Sequence, residues 1–247
     1  MSMMKRLAFH EALGVLNVGD LHPGGAAASE YLVSEIERIR PRRVLEVGAG
    51  IGFTTARMLK RGWTVTPLEP SEVLRRRLRR RVGFAVAPSR FETFEGEPSS
   101  FDAVIGESAF YGMDVASAFA KVNALLRRGG VFASLDMLWT AQAQAPLVAQ
   151  IHDETKRIFG IPVASRTVLT WSDWKTLLRS AGFEEIDSRR LPPGSLYADW
   201  KTKLTILTSA PRHPVAFAQY LKHRYLALAP RVPAGWTETW MALWRKV

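Results

Sequence analysis

Val44-Leu45-Glu46-Val47-Gly48-Ala49-Gly50-Ile51-Gly52-Phe53-Thr54 reads as a buried strand, a glycine turn and the start of a helix. The glycines let the backbone come within contact distance of a nucleotide-like ligand, and the helix N-terminus offers unpaired amide donors. Dinucleotide folds space these glycines G-x-G-x-x-G and seat a pyrophosphate on the helix end. Here the spacing is G-x-G-x-G, and Glu46 stands two residues before the first glycine. A carboxylate at that point repels a pyrophosphate and favours a cationic ligand carrying an ammonium or sulfonium. Seventeen residues after Gly52 comes Glu69, in Leu68-Glu69-Pro70 at the end of the next expected strand. A carboxylate at a strand tip accepts hydrogen bonds from both hydroxyls of an unphosphorylated ribose. The alternatives are a capping role for Glu46 and a surface position for Glu69, and the match to the switch-point geometry of open α/β sheets weighs against both.

Working outward, strand and helix signals alternate from about Ser29 to Ala210. That is the pattern of a doubly wound, mostly parallel α/β sheet covered on both faces. Ser29 is read as capping a helix that Pro41 stops, and Arg43 to Val47 as the first strand. Phe53 to Lys60 is a helix closing at Gly62, Thr64 to Leu68 the second strand, and an arginine-rich helix follows. Phe84 to Ala87 and Phe101 to Ile105 are expected as strands three and four, Asp114 as a helix cap, and Val131 to Leu135 as strand five. Two helical patterns, Ala145 to Phe159 and Trp171 to Ser180, lead to a sixth strand near Glu185 to Leu191. Lys203 to Leu207 is expected as an antiparallel edge strand, which makes seven. The spacing of Trp236, Trp240 and Trp244 predicts a helix with three indoles on one face. The expected organisation is an N-terminal lid segment over residues 1–28, a cofactor-binding core over 29–210 and a C-terminal helical extension over 211–247.

These motifs together resemble class I S-adenosylmethionine-dependent methyltransferases, in their small-molecule branch. The resemblance spans about Ser29 to Leu191. Beyond the glycine turn and Glu69, it rests on Phe101-Asp102-Ala103-Val104-Ile105-Gly106-Glu107-Ser108, on Leu125-Leu126-Arg127-Arg128-Gly129-Gly130-Val131, and on Trp174-Lys175-Thr176-Leu177-Leu178-Arg179-Ser180-Ala181-Gly182-Phe183. It implies S-adenosyl-L-methionine as cofactor, with Glu46 and Gly48 at the methionine amino end and Glu69 on the ribose. It places Ala49, Gly50 and Gly52 in the cofactor turn and Pro70 and Ser71 at its border. Where the family commonly has an acid followed by a small residue beside adenine, this chain has Ser89-Arg90-Phe91-Glu92, and Phe91 is the residue expected to stack on the ring.

Glu107 lies at the carboxyl edge of its strand, where open sheets place ligands, and is followed by Phe110, Tyr111 and Met113. It is read as touching cofactor and acceptor, as a base or as an anchor for positive charge; the alternative is a carboxylate bonded to loop amides. His22, in the turn His22-Pro23-Gly24-Gly25, is the second catalytic candidate or part of a lid, against a plain loop histidine. Tyr111, Met113 and Trp139 are expected as acceptor-pocket wall.

Composition bounds the rest. The chain has 247 residues, 47% hydrophobic and 23% charged, with no cysteine. Disulfides, thiolate metal sites and cysteine nucleophiles are thereby excluded, and no metal is expected. No apolar run reaches membrane-span length, and the first residues lack a secretory leader's apolar core, so the expected location is the cytoplasm. A net charge of +11 suits anionic partners such as nucleic acid; the competing reading of Arg75-Arg76-Arg77-Leu78-Arg79-Arg80-Arg81 is a solvated helix face over a stripe of Leu74, Leu78 and Val82. The function expected is methyl transfer to a small aromatic or otherwise apolar metabolite. An RNA methyltransferase and a non-catalytic partner subunit stand behind it, and the tryptophan face is a candidate homodimer surface.

Overall fold

A computed structural model describes residues 7–20, 22–86, 88–192, 200–227 and 232–247. The elements run α1 (Phe9–Val15), α2 (Gly25–Glu37), β1 (Arg43–Val47), α3 (Phe53–Lys60), β2 (Thr64–Leu68), α4 (Glu72–Val82), β3 (Phe101–Glu107), α5 (Val115–Leu125), β4 (Leu126–Trp139), α6 (Ala145–Phe159), α7 (Trp171–Ser180), β5 (Phe183–Leu191), α8 (Trp200–Ser209), a 3-10 turn (Ala210–Arg212), α9 (Pro214–Ala227) and β6 (Thr237–Lys246).

Among the described residues the sheet has six strands in the order β2-β1-β3-β4-β6-β5. The first four are parallel, and β6 lies antiparallel between β4 and β5. Side chains alternate across the pleat, so the sheet supports a core on each side. Phe132 and its partner Trp244 face Phe110, Phe119 and Trp174 on the side of α5 and α7. Val131, Ala133 and Leu243 face Leu32, Ile36 and Met58 on the side of α2 and α3. Each such fully buried Leu, Ile, Met or Phe contributes roughly 1.5–3 kcal/mol of transfer free energy, which makes both layers strongly specified.

Three sequence expectations change. No strand forms over Phe84 to Val86, and Ala87 lies outside the described residues. Phe84 is 38% exposed and only Val86 is inserted, against Ala49 and Leu78; Pro88 then withholds an amide from any ladder. With this strand and the expected edge strand lost and one gained at the C-terminus, the seven expected strands become six among the described residues. Lys203 to Leu207 lies within helix α8, where Ile206 turns inward onto α1. The tryptophan helix is strand β6: a spacing of four is close to one helical turn and equally two strand repeats, and Trp240 and Trp244 share one face of the strand while Trp171 stacks on Trp240 at 4.6 Å.

Two local readings also shift. Ser29 is not a cap; α2 begins four residues earlier behind Gly24, and Ser29 is fully buried inside it. The arginine face of α4 is only partly solvated. Arg75 is 5% exposed, Arg77 donates to the Val15 carbonyl at 2.6 Å, and Arg81 donates to the Ile51 carbonyl and to Asn17 Oδ1 at 2.8 Å.

Candidate active site

Register places three acids at one edge of the sheet. Val47 at the end of β1 pairs with Leu68 on β2 and with Gly106 on β3, so Glu46, Glu69 and Glu107 occupy neighbouring strand tips. The amides of Gly48 and Ala49 both bond the Leu68 carbonyl at 3.0 Å, lacing the turn to β2. Gly50 has φ of +56°, and a Cβ there would meet nothing within 4 Å; its side opens into the cavity and its amide donates to Glu69 Oε2 at 2.9 Å. Gly52 has φ of +83°, and a Cβ there would collide with Leu78. Gly50 thus serves the site, and Gly52 serves the packing of the turn on α4.

Each acid has a donor. Thr55 at the start of α3 donates its hydroxyl to Glu46 Oε2 at 2.5 Å, and its neighbour Thr54 donates to Glu107 Oε2 at 2.7 Å. The Ser71 amide donates to Glu69 Oε1 at 2.8 Å. Burial nevertheless dominates: it pushes Glu46 up to about 8, with repulsion from Glu107 and Glu69 adding to it and the Thr55 bond opposing it. Glu69 is pushed up to about 7 by burial, against the Ser71 and Gly50 amides and the Arg75 charge. A cluster held this way gains by receiving a cation.

Arg75 fixes the Glu69 backbone. From the second turn of α4 it reaches back to donate to the carbonyls of Glu69 at 2.8 Å and Pro70 at 3.1 Å, and it pairs with Glu72. Asp136, 1% exposed on β4, does the same for the segment after β3: its carboxylate accepts from the Phe110 amide at 3.2 Å, with the Ala109 and Tyr111 amides also turned to it. Its other oxygen is buried without a hydrogen-bond partner, and burial raises its pKa well above the usual range.

The N-terminal segment covers this edge. Asp20 forms a two-bond pair with Arg57 of α3 at 2.7 and 2.8 Å, and Ser71 donates to Glu11 of α1 at 2.6 Å. His22 is only 8% exposed. Its Nδ1 lies 3.2 Å from the Pro23 carbonyl, which fixes Nδ1 as the donor; its Nε2 lies 3.0 Å from Ser29 Oγ and 3.4 Å from Glu107 Oε1. That Glu107 oxygen is itself buried without a hydrogen-bond partner. The opposite wall comes from the loop after α6, held by His152 donating to the Ala164 carbonyl at 2.9 Å and by the Val163 amide on Thr155.

The cavity at this edge is half-open and has a volume of about 530 Å³. Glu46, Gly48, Ala49, Gly50, Glu69, Pro70, Phe91, Glu107, His22 and Met113 all line it. Phe91 is 2% exposed, with Lys121 over its ring at 5.4 Å. Three expected residues lie outside the lining. Gly52 packs on Leu78; Tyr111 is buried in the aromatic core; Trp139 is fully buried and spends its indole N–H on the Ser165 carbonyl at 2.7 Å. The last two are structural supports of the wall. The site residues not expected are Thr54, Thr55, Arg75 and Asp136. Two adjacent hydroxyls directly after a glycine turn, and an acid inside the apolar strand Ser134-Leu135-Asp136-Met137, were the available signals.

Residues 45–134 match the model of a methyltransferase domain. The chain is 21% identical over 201 residues to the uncharacterized methyltransferase YodH of Bacillus subtilis (strain 168), covering 79% of this chain and 83% of that protein. The fold superposes with a TM-score of 0.65 on a putative sarcosine dimethylglycine methyltransferase from Galdieria sulphuraria, at 17% identity over 88% of this chain and 84% of that one. It superposes with a TM-score of 0.64 on geranyl diphosphate C-methyltransferase from Streptomyces coelicolor A3(2), a complex with S-adenosyl-L-homocysteine, at 14% identity over 90% and 78%. A glycine turn between acids on an open α/β sheet, together with these matches, gives the chain the fold of class I S-adenosylmethionine-dependent methyltransferases. The matched methyltransferase domain and the fold support a methyl-transferring enzyme that uses S-adenosylmethionine.

Proposed function

We propose that this enzyme methylates a nitrogen or oxygen of a small, largely apolar molecule, and that Glu107 receives the acceptor's proton. The observation that carries this reading is the buried Oε1 of Glu107, without a hydrogen bond of its own and 3.4 Å from His22 Nε2.

The residues present fit the cofactor. Three carboxylates around an open glycine turn suit a ligand with an ammonium, a sulfonium and a ribose diol, and Gly50 leaves room for its close approach. Glu46 with Gly48 would hold the methionyl ammonium, Glu69 the ribose hydroxyls, and Phe91 with Pro70 the adenine side. When bound, S-adenosylmethionine supplies an electrophilic methyl group on a cationic sulfur. The protein's task is then alignment, which contributes roughly 7–11 kcal/mol of barrier lowering, and proton removal.

Glu107 is shaped for the second task. Thr54 holds Oε2, which leaves Oε1 beside His22 Nε2 to receive the proton of the acceptor's N–H or O–H. As the new bond to carbon forms, that proton passes to Oε1, and His22 Nε2 is placed to take it on, with Ser29 and Pro23 fixing the ring. Val18, Phe53, Ala109, Met113, Ile161 and Pro162 supply apolar wall, which favours an apolar acceptor body.

The test is incubation of the enzyme with S-adenosylmethionine carrying an isotopically labelled methyl and a small-molecule extract, followed by mass spectrometry. Label should enter a small molecule at a heteroatom. Glu107→Gln should retain S-adenosylhomocysteine binding by calorimetry and transfer methyl about 100-fold more slowly or worse. Label found only in RNA, or an unchanged rate in Glu107→Gln, refutes the proposal.

A further inference from the structure

Helices α8 and α9, joined by the 3-10 turn into a helix-turn-helix hairpin in sequence, each bury one face. Ile206, Ala216 and Tyr220 are buried there with Phe9, Ala12, Leu13 and Leu16. Each helix turns its opposite face outward. On those faces Leu204 is 50% exposed, Leu207 64%, Val215 39% and Leu221 49%. Large apolar side chains left open on two consecutive helices point to a partner that covers them.

The charge around these side chains is one-sided. No Asp or Glu occurs between residues 200 and 237, whereas α8, α9 and their turn carry Lys201, Lys203, Arg212, Lys222 and Arg224. Lys203, Arg212 and Lys222 are exposed beside the leucines. The active-site edge, by contrast, gathers carboxylates.

We propose that the outer face of the α8–α9 hairpin docks the enzyme on an anionic lipid surface. Exposed leucines enter the boundary between headgroups and acyl chains while the flanking cations meet lipid phosphates. Among the described residues no helix is long and apolar enough to cross a membrane, so the attachment is to the surface. RNA would use the cations but gain nothing from the leucines. A second copy of the chain would bring the same cations face to face. The docked face also stands close to the cavity. α1 turns Phe9, Ala12 and Leu13 toward the hairpin and His10, Glu11 and Gly14 toward the cavity, so one helix thickness, roughly 10 Å, separates the two. An apolar acceptor dissolved in the bilayer would reach the enzyme from this side. The docking rests on the hairpin alone and stands whether or not the acceptor reading does.

The experiment is vesicle flotation of the full chain with phosphatidylcholine alone and with phosphatidylcholine plus phosphatidylglycerol. The enzyme should float with the anionic vesicles only, and less as salt is raised. Leu204→Asn with Leu207→Asn should weaken binding about tenfold or more at unchanged charge, and Lys203→Gln and Lys222→Gln about fivefold each. Unchanged S-adenosylhomocysteine binding confirms that these variants fold. The proposal is overturned by no binding to anionic vesicles, by equal binding of the asparagine variant, by tighter binding to an RNA oligonucleotide that the same variant retains, or by a dimer that the variant converts to monomer.

Discussion

Replacing Glu46 by Gln should make the cofactor-free enzyme more stable at alkaline pH while removing its affinity for the cofactor. Glu46 is buried and its carboxyl is raised from the ordinary 4.5 to about 8. Below pH 4.5 the folded and unfolded chains both hold that proton, and nothing is lost. As pH climbs from there through about 8, the unfolded chain releases the proton before the folded one does, so stability falls across this window. At 1.36 kcal/mol per tenfold in acidity the full loss is roughly 5 kcal/mol, and relaxation around the buried cluster reduces it to about 2–5 kcal/mol. Gln keeps an oxygen for the Thr55 hydroxyl and cannot ionise. Glu46→Gln should therefore melt close to wild type near about pH 5 and roughly 5–15 °C higher near about pH 9. S-adenosylhomocysteine brings an ammonium to the site, so it should raise the wild-type melting temperature most at the alkaline end and leave the variant unmoved. Differential scanning fluorimetry at both pH values, with and without ligand, reads all four numbers. A difference that is the same at both pH values, or a variant that melts lower at the alkaline end, would refute the argument that burial of this carboxylate is stored as instability.

Two further outcomes follow from the supports of the site. Arg75→Met frees the Glu69 and Pro70 carbonyls and takes a cation from beside Glu69, so calorimetry should give about tenfold weaker S-adenosylhomocysteine binding, with Arg75→Lys intermediate; equal affinity in all three proteins would remove Arg75 from the account. Asp136 has one buried oxygen without a partner and a raised pKa, so Asp136→Asn, which mimics the protonated acid, should cost under about 1 kcal/mol, whereas Asp136→Ala orphans loop amides and should cost about 2–3 kcal/mol in a urea melt; the reverse order would show that the carboxylate is ionised.

The glycine turn and the strand-tip acids that line the cavity were legible because they sit in contiguous sequence. Glu46, the glycines and Glu69 fall at strand tips whose hydrophobic runs are short and bounded, so their positions follow from the pattern itself. The acceptor half was less so. Met113 was found in the lining, but Tyr111 and Trp139 were not, because an aromatic residue near a strand end looks alike whether it faces a cavity or a core. His22 and Glu107 meet across 85 positions, a juxtaposition that no local period encodes. In the fold, the parallel strands carried their own signal. The C-terminal tryptophans misled because their spacing satisfies two periodicities, and Phe84 to Val86 misled because a short apolar run can insert one residue, Val86, into a gap without joining a ladder.

The place of β6 bears on how the chain comes off the ribosome. β5 finds its sheet neighbour only in a strand made about fifty residues later, and β4 waits for the same strand on its outer side. Until synthesis reaches Thr237, the apolar edge of β4 and the polar edge of β5 stand open on the nascent chain, each a template for pairing with another polypeptide. Chaperone demand, and the sensitivity of expression to truncation, should concentrate in that interval.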